Sequence, residues 1–190
     1  MNGGMSKIFC LETEWTQSVH DMKKVSPVQS LLEFVSNTLD VPYVFRQVAV
    51  LQDFDYYIRH LEAATYGAYD IVYLCFHGSK GSIQFADKFD YSLLKLADDY
   101  NGLFTGRTII FDSCCTLKLN EDDMRRVKTQ TGARIIIGYT KSVDLVSSFV
   151  FELWLLSALI RRPYYGSKRL LALAEKEMPQ HVKKLGFVCY

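Results

Sequence analysis

The chain has 190 residues and is 49% hydrophobic, which suits one folded domain, residues 1–190, with a sizeable core. Its net charge of +1 gives no argument for nucleic acid or an anionic membrane as a bulk partner. The five cysteines, Cys10, Cys75, Cys114, Cys115 and Cys189, are odd in number and two are adjacent; this disfavours a disulfide framework and fits a reducing, cytoplasmic setting.

Taken from the start, Met1-Asn-Gly-Gly-Met5 leads into no apolar core, so it does not read as a signal peptide. Met1–Gly4 reads either as native or as an added leader, with Met5 then the natural start. Lys7 to Leu11 predicts a first strand, and the polar Glu12–Val25 a loop at its carboxyl end. Ser26-Pro27 suits a helix start, and Val28, Leu31, Leu32, Val35 and Leu39 share one helical face. Pro42 to Val50 is a second strand. Asp53 is expected to cap a second helix carrying Phe54, Tyr57, Ile58 and Leu61, closed by Gly67.

Tyr69 to Phe76 is an unbroken apolar run, as expected of a strand buried on both faces of a parallel sheet, and it delivers His77. Gly78-Ser79-Lys80-Gly81 predicts a flexible loop, Ser82–Phe85 a short edge strand or hairpin, and Tyr91–Tyr100 a helix. Arg107 to Phe111 is a fourth strand ending at Asp112-Ser113-Cys114-Cys115. Asn120 caps a helix with Glu121-Asp122-Asp123 in its first turn, and Gly132 closes it. Ala133 to Tyr139 is a fifth strand. Val143 to Ile160 is apolar but broken by Asp144, Ser147, Ser148, Glu152 and Ser157, so it reads as a core helix and not a span of ~20 apolar residues. Gly166–Glu177 is a further helix and Leu185–Tyr190 a sixth, edge strand. Alternating strands and helices predict a three-layer α/β/α sandwich on a mostly parallel sheet of about six strands.

Sites in such sheets form outside the carboxyl ends of the strands. If the His77 and Cys114 strands are neighbours, thiol and imidazole sit about 5 Å apart, the arrangement a cysteine nucleophile needs. The plain alternative is two ordinary residues at the ends of buried strands. Gly78 lets a substrate approach the backbone, and its N–H with that of Cys114 suits an oxyanion. Cys115 is the rival nucleophile, expected to point away from His77 toward the core or sheet face. Asp112 lies two residues before Cys114 and should share its face; a carboxylate there needs a cation, hydrogen bonds or water. Glu12, Glu14 and Trp15 also face the cleft end, while His20, His60 and His181 read as surface histidines. No metal or cofactor is expected: there is no Cys-x-x-Cys, histidine cluster, Gly-x-Gly-x-x-Gly or Walker motif.

His77-Gly78 at one strand end and Asp112-Ser113-Cys114 at the next resemble the caspase-like (clan CD) cysteine peptidases, and within them the metacaspases and bacterial CHAT-type peptidases. The resemblance spans about Lys7 to Tyr139. Phe76 stands where a glycine often precedes the histidine, Cys115 where caspases often carry a polar residue, and Thr116 where they carry glycine. The histidine–cysteine separation of 37 positions (114 − 77) is shorter than the ~50 of caspases, which implies a trimmed intervening loop. The resemblance implies a Cys114–His77 dyad and oxyanion donors at Gly78 and Cys114. It implies cleavage of a peptide or protein substrate after Arg or Lys, with Asp112 as the determinant. It places Lys141 and Asp144 in the substrate-binding walls. It further implies an effector in a defence or cell-death pathway, switched on by a partner or small-molecule signal. A non-catalytic signal-binding or scaffold module of the same fold is the alternative from another class.

Overall fold

A computed structural model describes residues 6–13 and 26–190 of the chain. Strand β1 (Ile8–Thr13) is buried along its whole length and includes Glu12 and Thr13, which the sequence had placed in a loop. The rest of that loop, with Glu14, Trp15 and His20, lies outside the described residues, as does Met1–Gly4. The Ser26 hydroxyl accepts the Gln29 N–H at 3.1 Å and caps α1 (Pro27–Leu39), whose Val28, Leu31, Leu32 and Val35 are buried. After β2 (Tyr43–Val48), helix α2 (Leu51–Ile58) begins earlier than expected. Asp53 is inside its first turn and not at its cap; its carboxylate reaches back to accept the N–H groups of Ala49 and Val50. Leu61 belongs to a following 3-10 turn, Arg59–Glu62.

Strand β3 (Ile71–Cys75) leads into a small antiparallel sheet of β4 (His77–Ser79), β5 (Ser82–Gln84) and β6 (Asp90–Ser92). The expected flexible loop is therefore largely a hairpin, turning at Lys80-Gly81 with Gly81 at φ +74°, and the expected helix at Tyr91 starts only after β6, as α3 (Leu93–Asp99). Strand β7 (Thr108–Asp112), helix α4 (Glu121–Thr131) capped by Asn120, and strand β8 (Ile135–Tyr139) follow as read. Helices α5 (Leu145–Arg161) and α6 (Ser167–Glu177) precede a helix the sequence reading missed, α7 (Pro179–Leu185), and the edge strand β9 (Phe187–Cys189). Among the described residues no helix is long and apolar enough to cross a membrane.

The six-stranded sheet runs β2-β1-β3-β7-β8-β9, parallel except for β9. One face packs on α2, α3 and α4 through Phe54, Leu93, Leu96, Met124 and Val127. The other packs on α1, α5, α6 and α7 through Leu32, Val35, Phe151, Leu155 and Leu170. This is the three-layer α/β/α sandwich. The chain crosses leftward from β1 to β2 and rightward from β3 onward, so the topological switch point lies between β1 and β3, beside the carboxyl end of β3.

Candidate functional site

Register brings the two motifs together. Cys75 of β3 pairs with Asp112 of β7, and the Phe76 N–H continues the ladder to the Asp112 carbonyl at 3.1 Å. His77 and Cys114 each lie two residues past that pair, so they leave neighbouring strands at the same height. Gly78 then packs directly on the cysteine turn. A β-carbon at Gly78 would meet Thr116 Oγ1, the Cys114 carbonyl at 2.5 Å and Ser113 Cβ at 2.8 Å. In the β4–β5 hairpin, alternate residues exchange hydrogen bonds. Counting from the two-residue turn at Lys80-Gly81, Gly78 occupies the non-bonded position, so its N–H is turned away from β5 and is not used by the hairpin.

The turn after β7 is held on three sides. The Thr116 hydroxyl, fully buried, reaches Ser113 Oγ at 2.6 Å and the Ser82 carbonyl of β5 at 3.2 Å. The Cys115 N–H bonds the Lys141 carbonyl at 3.0 Å, and the Leu117 N–H bonds that of Tyr139 at 3.1 Å. Cys115 itself has φ +58°, a left-handed conformation that costs a non-glycine residue of order 1 kcal/mol and that marks functional turns more often than ordinary ones. Cys114 is half-buried; its Sγ accepts the Val143 N–H at 3.4 Å and its thiol reaches the Val143 carbonyl at 3.8 Å. Cys115, expected to point toward the core or the sheet face, has a half-buried thiol 4.0 Å from Ser142 Oγ on the loop that also touches Cys114. His77 is exposed on β4; burial of its ring and then the Lys88 charge lower its pKa from the ordinary histidine value, which keeps the imidazole neutral at neutral pH.

Asp112 sits in the layer below, on the α5 face, 7% exposed. The Tyr73 hydroxyl bonds its Oδ2 at 3.3 Å and also bonds Glu152 Oε2, while the Tyr139 hydroxyl donates to Glu152 Oε1 at 3.0 Å. The two carboxyls thus meet at the Tyr73 hydroxyl. Burial, reinforced at Glu152 by the Asp112 charge, raises both above the ordinary carboxylate range, so the pair retains a proton. Glu152 is the site-adjacent residue that sequence reasoning missed. Its signal was present: Ser148, Glu152, Leu155 and Leu159 follow the helical period of the buried face of α5.

Linkage gives this pair a sign. A carboxyl whose folded pKa is raised binds more protons folded than unfolded once pH passes the unfolded value, so its contribution to stability falls as pH rises from about 4.5. Glu152→Gln keeps the hydrogen bonds to the phenols and removes one titration. Urea unfolding at pH 5, 6, 7 and 8 should therefore show the variant gaining on the wild-type protein as pH rises; a constant difference across that range refutes the shared proton.

The two expected wall residues turn elsewhere. Lys141 Nζ bonds the Lys183 carbonyl at 2.8 Å, and Asp144 caps α5 through the Ser147 N–H at 3.0 Å and pairs with Lys184 at 2.8 Å. Both thus clamp the β8–α5 loop to α7, which holds Val143 against Cys114. Glu12 is buried at the end of β1, where Ser26 Oγ donates to it at 2.7 Å and Gln47 Nε2 at 3.0 Å. His60 and His181 are half-buried in aromatic contacts and not simply on the surface: His60 is edge-on to Tyr56 and Tyr66, and His181 stacks on Phe151 at 6.3 Å. Among the described residues no group of three or more His, Cys, Asp or Glu is arranged to hold a metal.

Compared with known protein families, residues 5–162 match DUF6642, a family of unknown function. No curated protein matches the chain.

Proposed function

This chain belongs to the DUF6642 family, and we propose that it is a cysteine endopeptidase with Cys114 as nucleophile and His77 as acid and base. The observation that carries this reading is the shared height of His77 and Cys114 on neighbouring strands, with Gly78 pressed against the Cys114 carbonyl. Cys114 Sγ attacks the scissile carbonyl carbon. His77 takes the Cys114 thiol proton as Sγ attacks, the N–H groups of Gly78 and Cys114 receive the oxyanion, and His77 hands that proton to the leaving amine as the C–N bond breaks; His77 then takes a proton from water, whose hydroxide displaces Sγ from the thioester to give the carboxylic acid, and returns the proton to the Cys114 sulfur. The reading is tested by a peptide carrying a thiol-reactive acyl-mimicking group. It should label Cys114 and spare the fully buried Cys10; labelling of neither thiol, or of both alike, favours the non-catalytic module.

We assign the substrate as a polypeptide cut after Arg or Lys, in the reducing cytoplasm, with activity governed by a partner or small signal. The Asp112–Glu152 pair favours this specificity. A guanidinium or ammonium against the pair takes the place of the retained proton, and both carboxyls then ionise around a cation. Fluorogenic peptides differing only in the residue before the cut should show Arg or Lys preferred by about tenfold or more, the scale of a lost charge-assisted bond. Asp112→Asn should weaken that preference more than it slows a neutral substrate. A preference for Asp or for apolar residues leaves the pair as a sealed structural network.

A further inference from the structure

The connector between α5 and α6 takes no part in this site, yet it is the most one-sided stretch of charge in the chain. Arg161, Arg162, Lys168 and Arg169 fall within nine residues, and no acidic residue occurs between Glu152 and Glu175. Arg161, Lys168 and Arg169 are exposed, and Arg162 is half-exposed. Three other surface arginines are neutralised: Arg59 pairs with Asp55 and Glu62, Arg125 with Asp122, and Arg126 with Asp98, while exposed Arg46 turns to the Phe45 carbonyl and the Tyr57 ring. Among the described residues, the side chains of Arg161, Arg162, Lys168 and Arg169 form neither an ion pair nor a hydrogen bond.

Two tyrosines sit among these cations. Tyr164 is 74% exposed, while Tyr165 lies edge-on to it at 5.6 Å and receives the Arg162 guanidinium at 5.9 Å from its ring centre. A fifth cation, Arg134, is anchored under the connector by its bond to the Tyr165 carbonyl at 3.0 Å. Lys168 and Arg169 also occupy the first turn of α6, where the helix dipole is positive and cations are unfavourable unless an anion offsets them.

We propose that Arg161–Arg169 is a docking surface for single-stranded nucleic acid, with phosphates on the cations and a base stacked on Tyr164. Unpaired cations around an exposed aromatic ring are the combination that holds a single strand: backbone charge supplies attraction and the ring accepts any base. The net charge of +1 spoke against nucleic acid as a bulk partner only because paired charges elsewhere dilute this cluster.

The test is fluorescence anisotropy of a labelled 15-nucleotide single strand, as RNA and as DNA, and of a duplex of the same length, titrated with the full chain between 50 and 200 mM salt. Four phosphate contacts on a single strand predict a slope of log K against log salt of about −2 to −3. Arg161→Glu with Arg162→Glu should reduce that slope by about 1.4 and weaken binding at 50 mM salt. Lys168→Glu with Arg169→Glu, on the far side of the connector, should do the same, so one misfolded variant does not decide the matter. Tyr164→Ala should weaken single-strand binding about fivefold or more, from the loss of one stacked base, and leave the slope unchanged. Absence of binding at 50 mM salt, or binding indifferent to both charge reversals, overturns the proposal. Duplex bound as tightly as the single strand, with Tyr164→Ala silent, overturns it in favour of unspecific polyanion attraction.

Discussion

Cys114→Ala should bring peptide cleavage to background, and His77→Ala should lower it by about 10²–10⁴-fold, the range that general acid–base catalysis supplies. Neither change should unfold the protein. Cys114 is half-buried in a turn whose shape is held by other groups, namely Thr116 Oγ1 and the Cys115 and Leu117 N–H bonds. His77 is exposed on a short edge strand, where substitutions usually move stability by no more than about 0.5 kcal/mol. Urea midpoints close to that of the unaltered chain, beside lost turnover, are the expected pair of results. Cys115→Ala should keep most activity, since its thiol rests by Ser142 Oγ at 4.0 Å. A dead Cys115→Ala beside an active Cys114→Ala reverses the assignment. The histidine also sets a pH signature. Its pKa lies below the ordinary 6.5, so the neutral base is present at pH 7 and is lost only as pH falls through that lower value. The acid limb of kcat/KM should lie below pH 6.5 and track the His77 ring signal in an NMR titration; a limb well above 6.5 excludes His77 as the base.

What the sequence made legible follows from how the sheet is buried. Ile71–Cys75 and residues 109–111 of β7 are covered on both faces and are apolar throughout, so the polar residues just past them, His77 and Asp112-Ser113-Cys114, stood out. That exposes His77 and Cys114 as strand-end residues. Their adjacency was conditional on β3 and β7 being neighbours, which only the pairing Cys75↔Asp112 supplies. Strands β4 and β6 are three residues long, too short to show a period of two, and were read as loop and helix. Lys141 and Asp144 looked like cleft residues because they follow β8; their real partners, Lys183 and Lys184, sit on α7, a seven-residue helix hidden in a polar stretch and brought near only by the fold. Asp112 was rightly identified as a carboxylate in need of compensation, but its partner Glu152 is forty residues on, and no local pattern links the two.

Gly78→Ala is the smallest change expected to disable the site without touching a reacting group. The added methyl would sit against Thr116 Oγ1, 2.5 Å from the Cys114 carbonyl oxygen and 2.8 Å from Ser113 Cβ, all nearer than real β-carbons approach their neighbours. None of these atoms yields easily. Thr116 Oγ1 is committed to Ser113 Oγ and to the Ser82 carbonyl, and the Cys114 carbonyl is backbone in a turn fixed by the Cys115 and Leu117 N–H bonds. Strand β4 must therefore move away from the cysteine turn, carrying with it the Gly78 N–H and the His77 ring. Overpacking of this kind costs about 1–3 kcal/mol of stability, which a domain of this size survives. Loss of one well-aimed oxyanion donor costs about 10²–10³ in kcat. The expected result is a folded Gly78→Ala protein with kcat down by at least ~10²-fold and KM little changed, because the donor acts on the tetrahedral intermediate more than on the bound peptide. Adding Thr116→Ala removes one of the three clashes and leaves the Cys114 carbonyl in place, so it should not restore turnover. If the double variant regains full activity, the clash acted through Thr116 alone; if Gly78→Ala turns over normally while correctly folded, Gly78 has no part in the oxyanion site.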